Sequence, residues 1–311
     1  MRIAVVGVGG VGGYFGARLA QSGQEVVFVA RGAHLEAMRT TGLGVESPEG
    51  NLHLSSVTAT DNPTKVGCVD AVLVAVKTWQ LSEAIETIRP LLRTDTAVVP
   101  LLNGVDAPAI LSAALKPENV LGGLCGIVAH ISGPGRIKHA GAEPFIQVGE
   151  LDNSLSPRVQ QLRDAFDQSG VRAEIPEDIE VAIWQKFLFI APTSGVGAVT
   201  RATFGVIRQM PETLALVQRA MRETLEVGQA SGVTLTVKQM DIALHLLETA
   251  PANGTTSMQR DIAAGRPSEL DAQTGAIVRT GERHGISTPV NDVLYRCLLP
   301  QERRAHGEIE F

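Results

Sequence analysis

The short apolar run Arg2-Ile3-Ala4-Val5-Val6 passes directly into Gly7-Val8-Gly9-Gly10-Val11-Gly12, and a helical pattern (Tyr14, Phe15, Ala17, Arg18, Leu19, Ala20) follows. Glycines at this spacing suit one kind of chemistry, the holding of phosphate. Gly7 permits a tight turn, Gly9 lets a pyrophosphate approach the backbone, and Gly12 lets helix and strand pack closely. The helix N-terminus adds free N–H groups and the positive end of its dipole. Gly7, Val8, Gly9, Gly10, Val11 and Gly12 are therefore the candidate cofactor-binding loop. Arg31 closes the next apolar run, Val26-Val27-Phe28-Val29-Ala30, 19 residues after Gly12. A unit that binds unphosphorylated dinucleotide usually places Asp or Glu there, against the ribose hydroxyls; a cation suits a 2′-phosphate. The competing reading is a tight strand–helix turn with no ligand.

Further polar groups fall where apolar runs end. Lys77 follows Asp70-Ala71-Val72-Leu73-Val74-Ala75-Val76, and Asn103 follows the run from Thr96 to Leu102. Dinucleotide folds bind ligands at the carboxyl ends of their strands. Alone, Lys77 reads equally as a solvated lysine beginning a helix and Asn103 as a turn residue before Gly104. Lys186 is the sharper anomaly, the single charge in Val181-Ala182-Ile183-Trp184-Gln185-Lys186-Phe187-Leu188-Phe189-Ile190-Ala191. On a helix it shares a face with Ile179, Ile183 and Ile190. A lysine on such a face is costly to keep charged, which suits a general acid; the alternative is a lysine that snorkels to the surface. Ser257 reads as a helix cap, and Glu269, after Pro267-Ser268, as an acidic residue complementing a helix dipole.

These groups need elements to hold them. Over the first half, strands at 2–6, 26–30, 70–76 and 96–102 alternate with helices at about 79–92 and 109–115, the pattern of a parallel sheet covered by helices. Gly126 to Ser132, Arg136 to His139 and Phe145 to Val148 look like antiparallel additions, followed by a helix over 157–169 and a strand over 171–175. Beyond Pro176 only helical patterns remain: 178–191, 212–231, 237–248, 267–284 and 290–299, with a polar, frayed tail over 301–311. The expected architecture is α/β: a Rossmann-type doubly wound parallel sheet over residues 1–175 and a second, all-helical domain over 176–311.

Composition narrows the function classes. A net charge of −6 leaves no basic footprint for nucleic acid. No apolar run approaches the roughly 18 residues of a membrane span, and no basic segment precedes the first strand, so neither a span nor a signal peptide is expected. The cysteines, Cys68, Cys125 and Cys297, are odd in number and form no CxxC, and the histidines form no HxxxH pair. Disulfide and metal frameworks are not expected, and a cytoplasmic location is.

The segments GVGGVGGYFGARLAQSGQEVVFVAR, VAVKTWQ, LLNGV, WQKF and TSMQRDI…SELDAQTGAIV, in that order from Met1 to about Leu299, resemble the ketopantoate reductase (2-dehydropantoate 2-reductase) family. The resemblance implies NADPH-dependent reduction of a 2-oxo acid, in pantothenate synthesis, with the active site in the cleft between two domains. It implies that Lys186 is the catalytic lysine, with Lys77 on the cofactor side and Asn103 near nicotinamide and substrate. Ser257 would bind the substrate carboxylate, and Glu269 would hold the substrate's hydroxyl side while offsetting the desolvation of Lys186. Where the best-known members line the pocket with asparagines, this chain has Ile190, Ser194 and Phe204. Ser194 retains a donor and is carried as a substrate-binding residue. Reduction of a different, apolar 2-oxo acid is the runner-up reading, a non-catalytic NADPH sensor a third, and a homodimer is left open.

Overall fold

Apolar runs of four or five residues fold as strands when both faces can be covered, and the first unit does this with strict alternation. The computed structural model describes residues 1–141 and 143–311, which divide into two compact units: Met1–Leu102 with Ala107–Ile179, and Asn103–Asp106 with Glu180–Phe311.

The first unit comprises β1 (Arg2–Val6), α1 (Gly10–Gln21), β2 (Glu25–Val29), α2 (Gly32–Thr41), β3 (Leu43–Glu46), β4 (Leu52–Leu54), β5 (Thr58–Thr60), β6 (Ala71–Val74), α3 (Leu81–Ile88), β7 (Ala97–Pro100), α4 (Ala107–Ala114), β8 (Leu121–Gly133), β9 (Arg136–Glu150), α5 (Pro157–Gln168) and β10 (Arg172–Glu174). The main sheet runs β5-β2-β1-β6-β7, with every pairing parallel. Ile3, Val5, Val26, Phe28, Ala71 and Leu73 pack into one core with Phe15 of α1 and Phe166 of α5. The alternate residues Ala4, Val6, Val27, Val29, Val72 and Val74 pack into another with Ile85 of α3 and Leu111 of α4. Successive side chains on a strand point to opposite faces, so both faces of the sheet are sealed, as a doubly wound fold requires.

The second sheet is larger than its sequence signal. β8 and β9 form one long antiparallel hairpin whose register shifts between Gly126 and Val128, where the sequence pattern gave separate short strands. β3 and β10 join β9 in parallel, and β4 pairs with β3. Strands β3, β4 and β5 and the helix α2 carried too few apolar residues to stand out.

The second unit is helical throughout: α6 (Ile179–Thr200), α7 (Phe204–Gln209), α8 (Pro211–Ala230), α9 (Val237–Thr249), α10 (Ser257–Ala263), α11 (Ala276–His284) and α12 (Pro289–Ala305). Helix α6 does not stop at Ala191 as expected but continues through Pro192. Pro192 offers no N–H to the turn before it; burial of Leu188, Ala191 and Val196 on either side holds the helix together. The expected helix over 267–284 is also revised. Asp271–Gly275 is a π-helical turn, and α11 begins only at Ala276. The tail is not frayed from Gln301: α12 runs to Ala305 and buries Glu302. Among the described residues no helix is long and apolar enough to cross a membrane, and no cluster could hold a metal ion.

Candidate active site

The glycine loop of the first unit has the geometry that its spacing implies. Gly7 sits at φ +95°, and a Cβ there would lie 2.8 Å from the Ala75 carbonyl, so the turn after β1 admits glycine alone. A Cβ on Gly12 would lie 2.1 Å from the Gly7 carbonyl oxygen; this is the close packing of helix on strand. Gly10 approaches another backbone: its Cβ would lie 2.2 Å from the Ala129 carbonyl of β8. Gly9 is different in kind. It is the N-cap of α1, has no side-chain cap, and a Cβ on it would meet nothing within 4 Å. The first N–H groups of a helix have no carbonyl in their own helix to reach, and the space beside the Gly9 α-carbon, at the start of this helix, is open. Val8 is buried in the core, so it offers a ligand only backbone, and Val11 is half-buried. The loop therefore fits a pyrophosphate.

Arg31 caps α2 from an extended conformation and is exposed. Its guanidinium donates to Glu83 Oε1 at 2.8 Å, with both side chains about two-thirds exposed. Such a pair is weak, so an anion of higher charge can take Arg31 from it. Lys77 follows β6; its backbone N–H donates to Gln80 Oε1 at 3.2 Å, and its ammonium lies 5.7 Å from the Trp79 ring centroid. Nearby, burial holds the His34 imidazole below its ordinary pKa, and His34 Nδ1 accepts from the Gly135 N–H at 3.0 Å.

In the second unit, three residues that are distant in sequence meet. Lys186, half-buried on α6, donates from Nζ to Asn103 Oδ1 at 3.1 Å. Asn103 donates from Nδ2 to Glu269 Oε2 at 2.8 Å. Glu269 is 3% exposed. The orientation of the Asn103 amide follows from chemistry, because the reverse would set NH₂ against an ammonium and oxygen against a carboxylate. Gly104, at φ +95°, turns the chain against the π-helical turn, where its Cβ would lie 2.7 Å from the Ala272 carbonyl. Lys186 is thus neither unpartnered nor snorkelling, and its link to Glu269 runs through Asn103. The arrangement can present an ammonium to a developing oxyanion and hold a carboxylate out of water.

The remaining expected residues lie differently. Ser257 is the first residue of α10 and half-buried, but the cap is Thr256, whose hydroxyl accepts from the Gln259 N–H. Ser194 is completely buried within α6 and its hydroxyl has no partner among the described residues. Its expected substrate contact would have to be made from this buried position. Phe204 belongs to the helical core, 6.0 Å from the Phe189 ring, with half-buried Ile190 packed against the same core. Sequence reasoning missed Ser268 and Glu302, which flank the site. Glu302 lies in what the sequence reads as a polar tail, and the buried turn of α12 that it occupies carries a proline, Pro300, that masks the helix.

The family model for "Ketopantoate reductase PanE/ApbA" matches residues 3–153, and the model for its C-terminal region matches residues 178–302. The chain is 32% identical to the uncharacterized oxidoreductase YkpB of Bacillus subtilis, covering 97% of this chain and 99% of that protein. It is 30% identical to the solved 2-dehydropantoate 2-reductase of Geobacter metallireducens, with a TM-score of 0.90 over 96% of this chain and 99% of that one. A D-mandelate dehydrogenase solved with NADH and anilino(oxo)acetate has the same fold (TM-score 0.90, 24% identical, 98% and 99% covered), so the fold alone does not select a substrate. Matched over both units, the chain belongs to the ketopantoate reductase family of oxidoreductases.

Proposed function

We propose that the protein reduces the 2-oxo group of ketopantoate with NADPH, giving pantoate for pantothenate synthesis in the cytoplasm. In this reading residues 1–175 hold the cofactor, through Gly7 to Gly12, Arg31 and Lys77, and residues 176–311 supply substrate contacts and catalysis. The observation that carries it is the Lys186–Asn103–Glu269 chain. A nucleotide sensor has no use for an ammonium and a buried carboxylate joined through one amide.

Gly7 to Gly12, Arg31 and Lys77 would hold the cofactor, whose nicotinamide would supply the hydride that C2 of the oxo acid accepts. As negative charge gathers on the ketone oxygen, the Lys186 ammonium stabilises it and then transfers a proton from Nζ, leaving a hydroxyl. Asn103 steers this step, since its Oδ1 holds one of the three ammonium donors and leaves the others for substrate. Glu269 fixes the amide and faces the substrate hydroxyl. Ser257, at a helix N-terminus with no side-chain hydrogen bond among the described residues, suits the substrate carboxylate.

A second reading rests on Ile190 and Phe204, which are apolar where amide donors are expected. On it the preferred 2-oxo acid is branched and lacks the hydroxyl. The test is kcat/KM with NADPH for ketopantoate against 3-methyl-2-oxobutanoate. Each lost neutral hydrogen bond is worth about 0.5–1.5 kcal/mol, so the expected preference for ketopantoate is modest. A preference for the hydroxyl-free acid would promote the second reading. No reduction of any 2-oxo acid would refute both.

A further inference from the structure

Helix α12 ends where a cation is ordinarily favoured, because the helix dipole leaves partial negative charge there. Arg303 and Arg304 obey this rule, and Glu302 does not. Glu302 is also 7% exposed, so its carboxylate opposes both the dipole and desolvation. What it gains is Ser268. The Ser268 N–H donates to Oε1 at 2.8 Å and the Ser268 hydroxyl to Oε2 at 2.5 Å. The same hydroxyl accepts the Leu270 N–H at 3.2 Å, and His306 Nε2 lies 3.1 Å from Oε1.

The residue between Ser268 and Leu270 is Glu269. Leu298, one turn before Glu302 on the same face of α12, packs in a cluster with fully buried Leu270. One face of α12 therefore grips both neighbours of Glu269, one by hydrogen bonds and the other by apolar contact. Downstream, the Gln273 N–H donates to the Glu269 carbonyl at 3.0 Å, so the peptide is held on that side too. We infer that Glu302 is a positioning residue: it locks the Ser268–Leu270 backbone so that the Glu269 carboxylate meets Asn103 and, through it, Lys186. The inference rests on the proposed role of those three residues in ketone reduction.

The test uses the full chain with Glu302→Ala, Glu302→Gln and Ser268→Ala. Glu302→Ala is expected to lower kcat/KM by about tenfold or more, the scale of lost hydrogen bonds to a charged group, while the Kd for NADPH stays at the wild-type value. Glu302→Gln still accepts from the Ser268 N–H and can donate to its hydroxyl, so it should retain most activity and serves as the folded control. In a Glu269→Ala background, adding Glu302→Ala should change kcat/KM less than twofold, about the limit expected when one residue acts through another. An equal loss in both backgrounds, or full activity of Glu302→Ala, overturns the inference. Amide exchange supplies a readout free of substrate: Leu270 and Gln273 must exchange faster in Glu302→Ala and Ser268→Ala. Unchanged exchange there refutes the positioning role, even if the wild type reduces no 2-oxo acid and the functional reading has failed separately.

Discussion

Gly9→Ala separates a glycine needed by a ligand from one needed by the fold. The backbone at Gly9 is extended, at φ −83°, and the new methyl would meet nothing within 4 Å. Loss of glycine's freedom in the unfolded chain stabilises by about 0.4–1 kcal/mol. Alanine is a poorer N-cap than glycine by a similar amount, up to about 1 kcal/mol. The two nearly cancel, so the free variant should melt close to wild type. A methyl standing where a pyrophosphate approaches should weaken the nucleotide by about ten- to hundredfold, 1.4–2.8 kcal/mol. At an NADPH concentration of about 100 Kd the wild type gains roughly 2.7 kcal/mol from binding. A variant with hundredfold weaker binding gains only about 0.4 kcal/mol at that concentration. For a unit of this size the Tm rise with NADPH should be roughly 5–10 °C for wild type and about 1–2 °C for a variant weakened hundredfold, or about 3–6 °C for one weakened tenfold. Gly12→Ala is the opposite control, because its methyl meets the Gly7 carbonyl oxygen at 2.1 Å. It should destabilise the free protein by about 1–3 kcal/mol or more. The reasoning is refuted if Gly9→Ala shows the full NADPH shift, or if it melts far below wild type without ligand.

Arg31→Ala should erase most of an NADPH-over-NADH preference of about tenfold, 1.4 kcal/mol, measured by titration with each cofactor; equal affinities in the wild type would remove the assignment. Glu83→Gln should tighten NADPH by up to about fivefold without moving NADH, as the exposed pair with Arg31 is worth at most about 1 kcal/mol. Lys186→Ala should cut kcat about a hundredfold or more, as for a general acid or oxyanion donor, in steady-state assays where NADPH still binds. Asn103→Ala should also lower kcat, and should cost stability, seen as a lower Tm, because it leaves buried Glu269 unpaired. Asp70 is pushed up by burial, but the Arg2 backbone N–H at 2.6 Å and the Arg93 guanidinium outweigh this and hold it below the ordinary carboxylate range. Its stabilisation is therefore present at neutral pH and lost as pH falls through the depressed value, below about 4. Asp70→Asn should be less stable at neutral pH and flatten that acid limb in denaturant titrations.

What could be read from the sequence depended on whether the information was local. The glycine loop and β1, β2, β6 and β7 were legible because each is a short run of one kind of residue. Lys186 stood out for the same reason, a charge amid apolar residues. Glu269 did not. After Pro267-Ser268 it has the look of a dipole-complementing residue, and the Asn103 amide that meets it lies 166 positions away. Burial of Ser194 was invisible, since its substrate contact was implied by the family resemblance alone and the expected helix ended before it, at Ala191. The helix breaks were misjudged in both directions. Proline should have ended α6 at Ala191 and α12 near Leu299, yet tertiary burial carried both helices past it. At Asp271–Gly275 a π-helical turn interrupted a pattern with no breaking residue at its start.

The amide between Lys186 and Glu269 has a chemical consequence that a direct ion pair would lack. A buried ammonium–carboxylate pair is costly to separate, because breaking it strands both charges. An enzyme using such a lysine on a ketone would have to part the pair in every turnover. With Asn103 interposed, the ammonium gives up at most a bond to a neutral oxygen, and Glu269 keeps its own donor throughout. The amide is aligned between them, with Oδ1 toward Lys186 and Nδ2 toward Glu269. Lys186 is thereby oriented without being tied to a carboxylate, an arrangement that suits the proposed oxyanion stabilisation and proton donation. Asn103, which belongs with the helical unit as part of Asn103–Asp106, bonds Lys186 and Glu269 at once.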